Sequence, residues 1–119
     1  SLTPFIVAGC CIILDIVTGV IKGLYNKNIN STYLRQALYH KSSEILSIVL
    51  AFLIEKGIAT LGLGFTLPTV SIVVTYICIM ELVSIIENLS EVNPRLTKIF
   101  SPYLEKLKGQ VGDDENNTK

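Results

Sequence analysis

Three apolar stretches separated by polar breaks set the plan of this chain. The first runs from Leu2 to Gly23, and Asp15, Thr18, Gly19 and Lys22 interrupt its larger apolar residues. Its length matches the ~20 residues that a bilayer-crossing helix requires. The four interruptions fall at i, i+3, i+4 and i+7, so a helix places them on one face. Tyr25-Asn26-Lys27-Asn28-Ile29-Asn30 reads as a polar turn, after which Ser31 or Thr32 is the candidate helix cap. The second segment starts polar, with Arg35, Gln36, His40 and Lys41, turns apolar at Ile45 and closes at Ile54-Glu55-Lys56. Its roughly dozen strongly apolar residues are marginal for a span, so the pattern predicts a helix of about 25 residues with wet ends. Ser43, Ser47 and Ala51 recur every four residues, a spacing of small side chains that lets helices approach closely in lipid.

Gly57, Gly62 and Gly64 mark a second turn region, and Pro68 suits the first turn of a third helix that continues to about Asn88. That helix is rich in β-branched residues (Val70, Ile72, Val73, Val74, Thr75, Ile77), which would suit a strand in water. An open strand in lipid leaves its backbone unpaired, so helix is predicted. Residues 94–108 place Leu96, Ile99, Phe100, Tyr103, Leu104 and Leu107 at helical spacing with basic residues between them, the pattern of an interfacial helix. Pro102 is expected to kink or divide it. Residues 109–119 are polar and expected to be disordered. The predicted fold is thus all-α, an integral membrane protein with three transmembrane helices and an amphipathic C-terminal helix. One membrane domain covers 1–108, with spans at about 2–23, 33–56 and 67–89 and an interfacial tail at 94–108.

Composition supports this reading. Half of the 119 residues are hydrophobic and only 17% are charged, against roughly 25–35% on a designed soluble surface. Ser1 stands in place of an initiator Met, so the start reads as trimmed or processed. The first stretch lacks a basic leader and a clear cleavage site, and is read as a retained span. Cys10, Cys11 and Cys78 are odd in number, lie in apolar segments and lack metal-ligand spacing, so they read as small buried hydrophobes.

Net charge is zero, but the charges are unevenly placed. Lys22, Lys27, Arg35 and Lys41 cluster between the first two strongly apolar stretches, and Arg95, Lys98, Lys106 and Lys108 follow the last. Arg35, Lys41 and the four tail residues are expected at the membrane surface. The positive-inside rule then puts the first loop and the C-terminus in the cytoplasm and the N-terminus outside. No basic patch stands apart from the membrane signal, so no nucleic-acid partner is expected.

Asp15 and Glu81 are expected at similar depth on different helices, each roughly 10 Å inside the inner boundary. Intramembrane carboxylates are costly and should face protein or water. The polar intramembrane face is expected to join Asp15, Thr18, Gly19 and Lys22 with Glu81, Ser84, Glu87 and Asn88 of the third helix, Lys22 and Glu87 lying nearer the boundary. Two polar faces at one depth are expected to meet, within a subunit or between subunits. Such a pair serves one of three ends: helix adhesion, assembly-coupled pore opening, or proton or ion relay. His40 has only Glu44 at ligand spacing, so no metal site is expected, and no catalytic constellation or cofactor motif is present.

The residues Asp15-Ile-Val-Thr18-Gly19-Val-Ile-Lys22 resemble the D-x-x-T-G-x-x-K signature of phage holins associated with toxin secretion and phage lysis. Ser31, Arg35 and Lys41 look like that family's basic approach to its second helix. Glu81 to Leu89 resembles its E-x-x-S-I-x-E-N signature. The resemblance covers about Phe5 to Leu107. Ala37 stands near the place where the family often has glycine, and the usual charged leader is short or missing. The resemblance implies a non-enzymatic protein that gathers as a homo-oligomer in the bacterial inner membrane and opens lesions. These would release an endolysin or a toxin, with an antiholin as a further partner. The competing readings are a small oligomeric ion or solute channel or transporter, and an antiholin-like regulatory subunit.

Overall fold

A computed structural model describes the backbone of residues 2–118 and the side chains of residues 2–110. It contains four helices: α1 (Thr3–Tyr25), α2 (Ser31–Leu61), α3 (Thr69–Val92) and α4 (Arg95–Thr118). The all-helical expectation holds among the described residues. Two of the four, α1 and α3, are long and apolar enough to cross a membrane. The third predicted span, on α2, is not among them; Arg35, His40, Lys41, Glu44, Glu55 and Lys56 are spread along that helix.

Each helix end has a local cause. At the end of α1, Lys27 adopts φ +57°. The Lys27 amide donates to the Leu24 carbonyl and the Asn28 amide to that of Gly23, the paired bonds of a left-handed helix stop. Gly23 is required by the returning chain, because a Cβ there would come within 2.5 Å of Ile29 Cγ1. The cap of α2 is Asn30, and not Ser31 or Thr32: its extended backbone lets the side chain accept the Tyr33 amide at 2.8 Å. Ser31 is already the first helical residue.

The predicted turn at Gly57 is also displaced. α2 runs through it and stops at Gly62, whose φ of +63° suits a residue without Cβ. The amide of Val70, in the first turn of α3, donates to Glu55 Oε1 of α2 at 2.9 Å, so α2 supplies the cap that Pro68 cannot. α4 stays continuous through Pro102 and is not divided there. Its helical backbone extends past Gly109 to Thr118, into the segment expected to be disordered; Lys119 lies outside the described residues.

α3 is the hub. It packs against α1, α2 and α4, with α1 its most extensive partner. Ala8, Cys11 and Ile12 of α1 are buried, as are Val74, Ile77, Val83, Ile85 and Ile86 of α3. On α2 only Lys41 and Ala51 are buried. The exterior is largely apolar, including Ile6, Ile13, Leu14, Val17, Leu46, Leu50, Leu53, Ile72 and Tyr76. Contiguous exposed apolar surface of this kind marks contact with lipid or another protein. The molecule measures 53 × 33 × 31 Å, long enough to traverse a hydrocarbon core of about 30 Å.

A candidate intramembrane charge cluster

Asp15 sits near the middle of α1 and Glu81 near the middle of α3, and the packing of the two helices turns both carboxylates inward. Between them lies the ammonium of Lys41 from α2. It is hydrogen-bonded to Asp15 Oδ2 and, at 2.5 Å, to Glu81 Oε2. The three residues are 9%, 8% and 2% exposed for Asp15, Lys41 and Glu81. Removing two opposite charges from water costs several kcal/mol per ion, and only close, well-bonded geometry compensates. Here the ammonium is shared by two carboxylates on two other helices.

Lys41 therefore corrects the sequence expectation, which placed it at the membrane surface. A hairpin argument on the sequence finds it. Asp15 lies ten residues before the last residue of α1, and Lys41 ten residues after the first of α2. At 1.5 Å per residue, both stand about 15 Å from the turn that joins these helices.

The rest of the polar face assembles around the ion triad. Asn88 Nδ2 donates to Asp15 Oδ1 at 3.2 Å and to Thr18 Oγ1 at 3.1 Å. The Thr18 hydroxyl in turn donates to the Asp15 carbonyl. Gly19 leaves room for the Tyr33 hydroxyl, which donates to its carbonyl at 3.2 Å. Ser84 lines the same cavity as Asp15, Lys41 and Asn88. Asp15, Thr18, Gly19, Glu81, Ser84 and Asn88 are thus gathered within a single chain. Lys22 is displaced toward the helix end, where it pairs with Glu91 at 3.3 Å, beside a 2.9 Å bond from Asn26 to the same carboxylate.

Glu87 does not join this face; it is exposed. Glu81, Ser84 and Asn88 are spaced i, i+3 and i+7, whereas i+6 lies about 120° away around the helix. Among the small residues of α2, Ala51 is buried, but Ser43 and Ser47 are exposed and donate to carbonyls of their own helix. Arg35, Arg95, Lys98, Lys106 and Lys108 are exposed. Cys10 is exposed and Cys11 buried, while Cys78 is half-buried.

Glu44 is the residue that sequence reasoning left aside. Its Oε1 lies 3.0 Å from His40 Nε2 and accepts from Lys41 at 3.4 Å, and its Oε2 is buried with no hydrogen-bond partner. The only signal was the i, i+4 pairing with His40. Chemically the site is a charge lock between three helices.

No curated protein and no solved structure matches the chain. The family model of the bacteriophage holins does, over residues 2–109, which take in the whole charge cluster. That family is not a family of enzymes. The chain, an apolar-faced helical protein with two membrane-length helices and a buried charge lock, belongs to the bacteriophage holin family.

Proposed function

We propose that this protein is a phage-type holin that accumulates in the host inner membrane, oligomerises and opens lesions through which an endolysin reaches the cell wall. The observation that carries this reading is the Asp15–Lys41–Glu81 lock inside an apolar exterior. A single chain can rest in lipid with its charges paired, which suits silent accumulation. Swinging α2 away would expose carboxylates and an ammonium, and only a water-filled space lined by several copies satisfies them.

α2 then acts as the third span. Hydropathy undercounts it because Lys41 and Glu44 face inward. Its outer side carries Leu38, Ile45, Leu46, Val49, Leu50, Phe52 and Leu53, all exposed and all suited to lipid. With three spans, and with Lys22, Lys27 and Arg35 around the α1–α2 turn on the same side as the basic residues of α4, the positive-inside rule favours an outside N-terminus and a cytoplasmic C-terminus. The groove beside Ser43 and Ser47, which Ser71 and Thr75 of α3 also line, gives a second copy a surface for close approach. The exposed basic residues of α4 favour the anionic cytoplasmic leaflet.

Inducible expression in a bacterium, with and without a cytosolic endolysin, tests the reading when culture density and membrane potential are followed together. A holin collapses the potential at a set time after induction, and density then falls sharply with endolysin present. Loss of potential with the endolysin still retained would favour a small-solute channel. Harmless expression that delays a lytic partner would favour an antiholin.

A further inference from the structure

The lock contains more negative charge than its ammonium neutralises. Asp15, Glu44 and Glu81 converge on Lys41; three carboxylates against one ammonium leave a formal charge of −2 with His40 neutral. The side chain of Glu44 is 11% exposed, and its Oε2 is buried and accepts no hydrogen bond. An unpaired carboxylate oxygen at such a place carries a large desolvation cost. Beside it lies a cavity of about 320 Å³ lined by Asp15, His40, Glu44, Glu81 and Ser84, with Tyr76 and Met80 among its apolar walls.

We infer that this cavity binds one divalent transition-metal cation, zinc best of all, through His40, Glu44 and Glu81. A ligand atom from each of the three lies within 4.8 Å of the other two. Tetrahedral zinc at about 2.0–2.2 Å from each ligand wants them roughly 3.3 Å apart. His40 Nε2 already stands 3.0 Å from Glu44 Oε1, and its side chain is 70% exposed, so closing the set takes only a small side-chain adjustment. His40 and Glu44 stand at i, i+4 on α2, a spacing that directs two ligands to one side of a helix. Glu81 arrives from α3, which is why the sequence showed only a pair.

One imidazole nitrogen with two carboxylate oxygens suits zinc and its neighbours, whereas magnesium and calcium prefer all-oxygen shells with more ligands. One divalent ion would offset the formal −2 of the cluster with all three carboxylates ionised. Lys41 stays on Asp15 and on one Glu81 oxygen, leaving the unpartnered Glu44 oxygen for the metal. Bound there, the ion would staple α2 to α3 beside the lock. The inference is independent of the lytic reading.

Its test is a zinc titration of the detergent-purified, tag-free protein with Cys10, Cys11 and Cys78 replaced by serine, read by competition with a chromophoric chelator. One zinc per chain is expected, with affinity reduced about tenfold or more in His40→Ala and Glu44→Gln and unchanged in Glu87→Gln. Far-ultraviolet circular dichroism checks that each variant remains helical, and His40→Ala, altering an exposed side chain, keeps the comparison open should Glu44→Gln not fold. Cobalt bound at the same stoichiometry should show visible bands that zinc abolishes. Absence of binding by the cysteine-free protein, equal affinity in His40→Ala, or neutralisation of the cluster by protons alone would overturn the inference.

Discussion

The attachment of α1 to α3 and the attachment of α2 to that pair rest on different physics. α1 and α3 interlock through Ala8, Cys11, Ile12, Val74 and Ile77, close van der Waals packing that persists in lipid. α2 buries only Ala51 and Lys41 and is otherwise held by polar bonds: Lys41 to Asp15 and Glu81, Tyr33 to Gly19, and Glu55 to the Val70 amide. One pair is a permanent core and the other a latch. Polar latches are strong in a dry setting and weak once water enters, so α2 is the element suited to move when copies assemble.

The sharpest way to break the contrast is to remove the latch. Lys41→Met leaves Asp15 and Glu81 facing each other without a counter-charge. Loss of one partner of a buried ion pair typically costs about 3–5 kcal/mol. Lysis at matched membrane levels is expected to come much earlier; unchanged timing would remove the latch from the mechanism. Asp15→Asn and Glu81→Gln should shift timing in the same direction by less, because each leaves the ammonium two carboxylate partners. The quadruple variant Asp15→Asn, Lys41→Met, Glu44→Gln, Glu81→Gln should recover helix association in a thermal unfolding measurement, since replacing a whole buried ionic group is often close to neutral.

Gly23→Ala probes the hinge between α1 and α2. Its Cβ would meet Ile29, and the strain, about 1–3 kcal/mol, should fall on the turn and show as a lower unfolding temperature. A Cβ at Gly19 would sit 3.5 Å from the Tyr33 hydroxyl and 3.7 Å from Asn88 Nδ2, so Gly19→Ala should cost less than Gly23→Ala by the same measurement. Neutralising Arg95, Lys98, Lys106 and Lys108 together leaves core and latch intact and should alter lysis timing only mildly. The smallest effect belongs to Lys27→Gly, which relieves a left-handed residue and should stabilise by about 1 kcal/mol.

Much of this was legible in the sequence, for identifiable reasons. Apolar runs of fixed length and a strict i, i+3, i+4, i+7 face need no tertiary knowledge, so α1, α3 and the inward Asp15 and Glu81 followed from spacing. Lys41 did not. A lone lysine in a basic stretch looks like a surface residue until the α1–α2 hairpin brings it level with Asp15. Asn30 and Glu55 were missed as caps for a related reason: a cap depends on backbone angles and on a neighbouring helix, neither of which a local pattern states. Glu87 was placed on the wrong face because a motif groups residues by sequence, while a helix groups them by angle.

Pulsed electron–electron distance measurement between spin labels on exposed Ile13 of α1 and Leu46 of α2, in a cysteine-free background, tests the latch most directly. The account predicts one narrow distance distribution for the parent protein and a longer, broader one after Lys41→Met. Identical distributions would show that α2 is held in place by something other than the buried lysine.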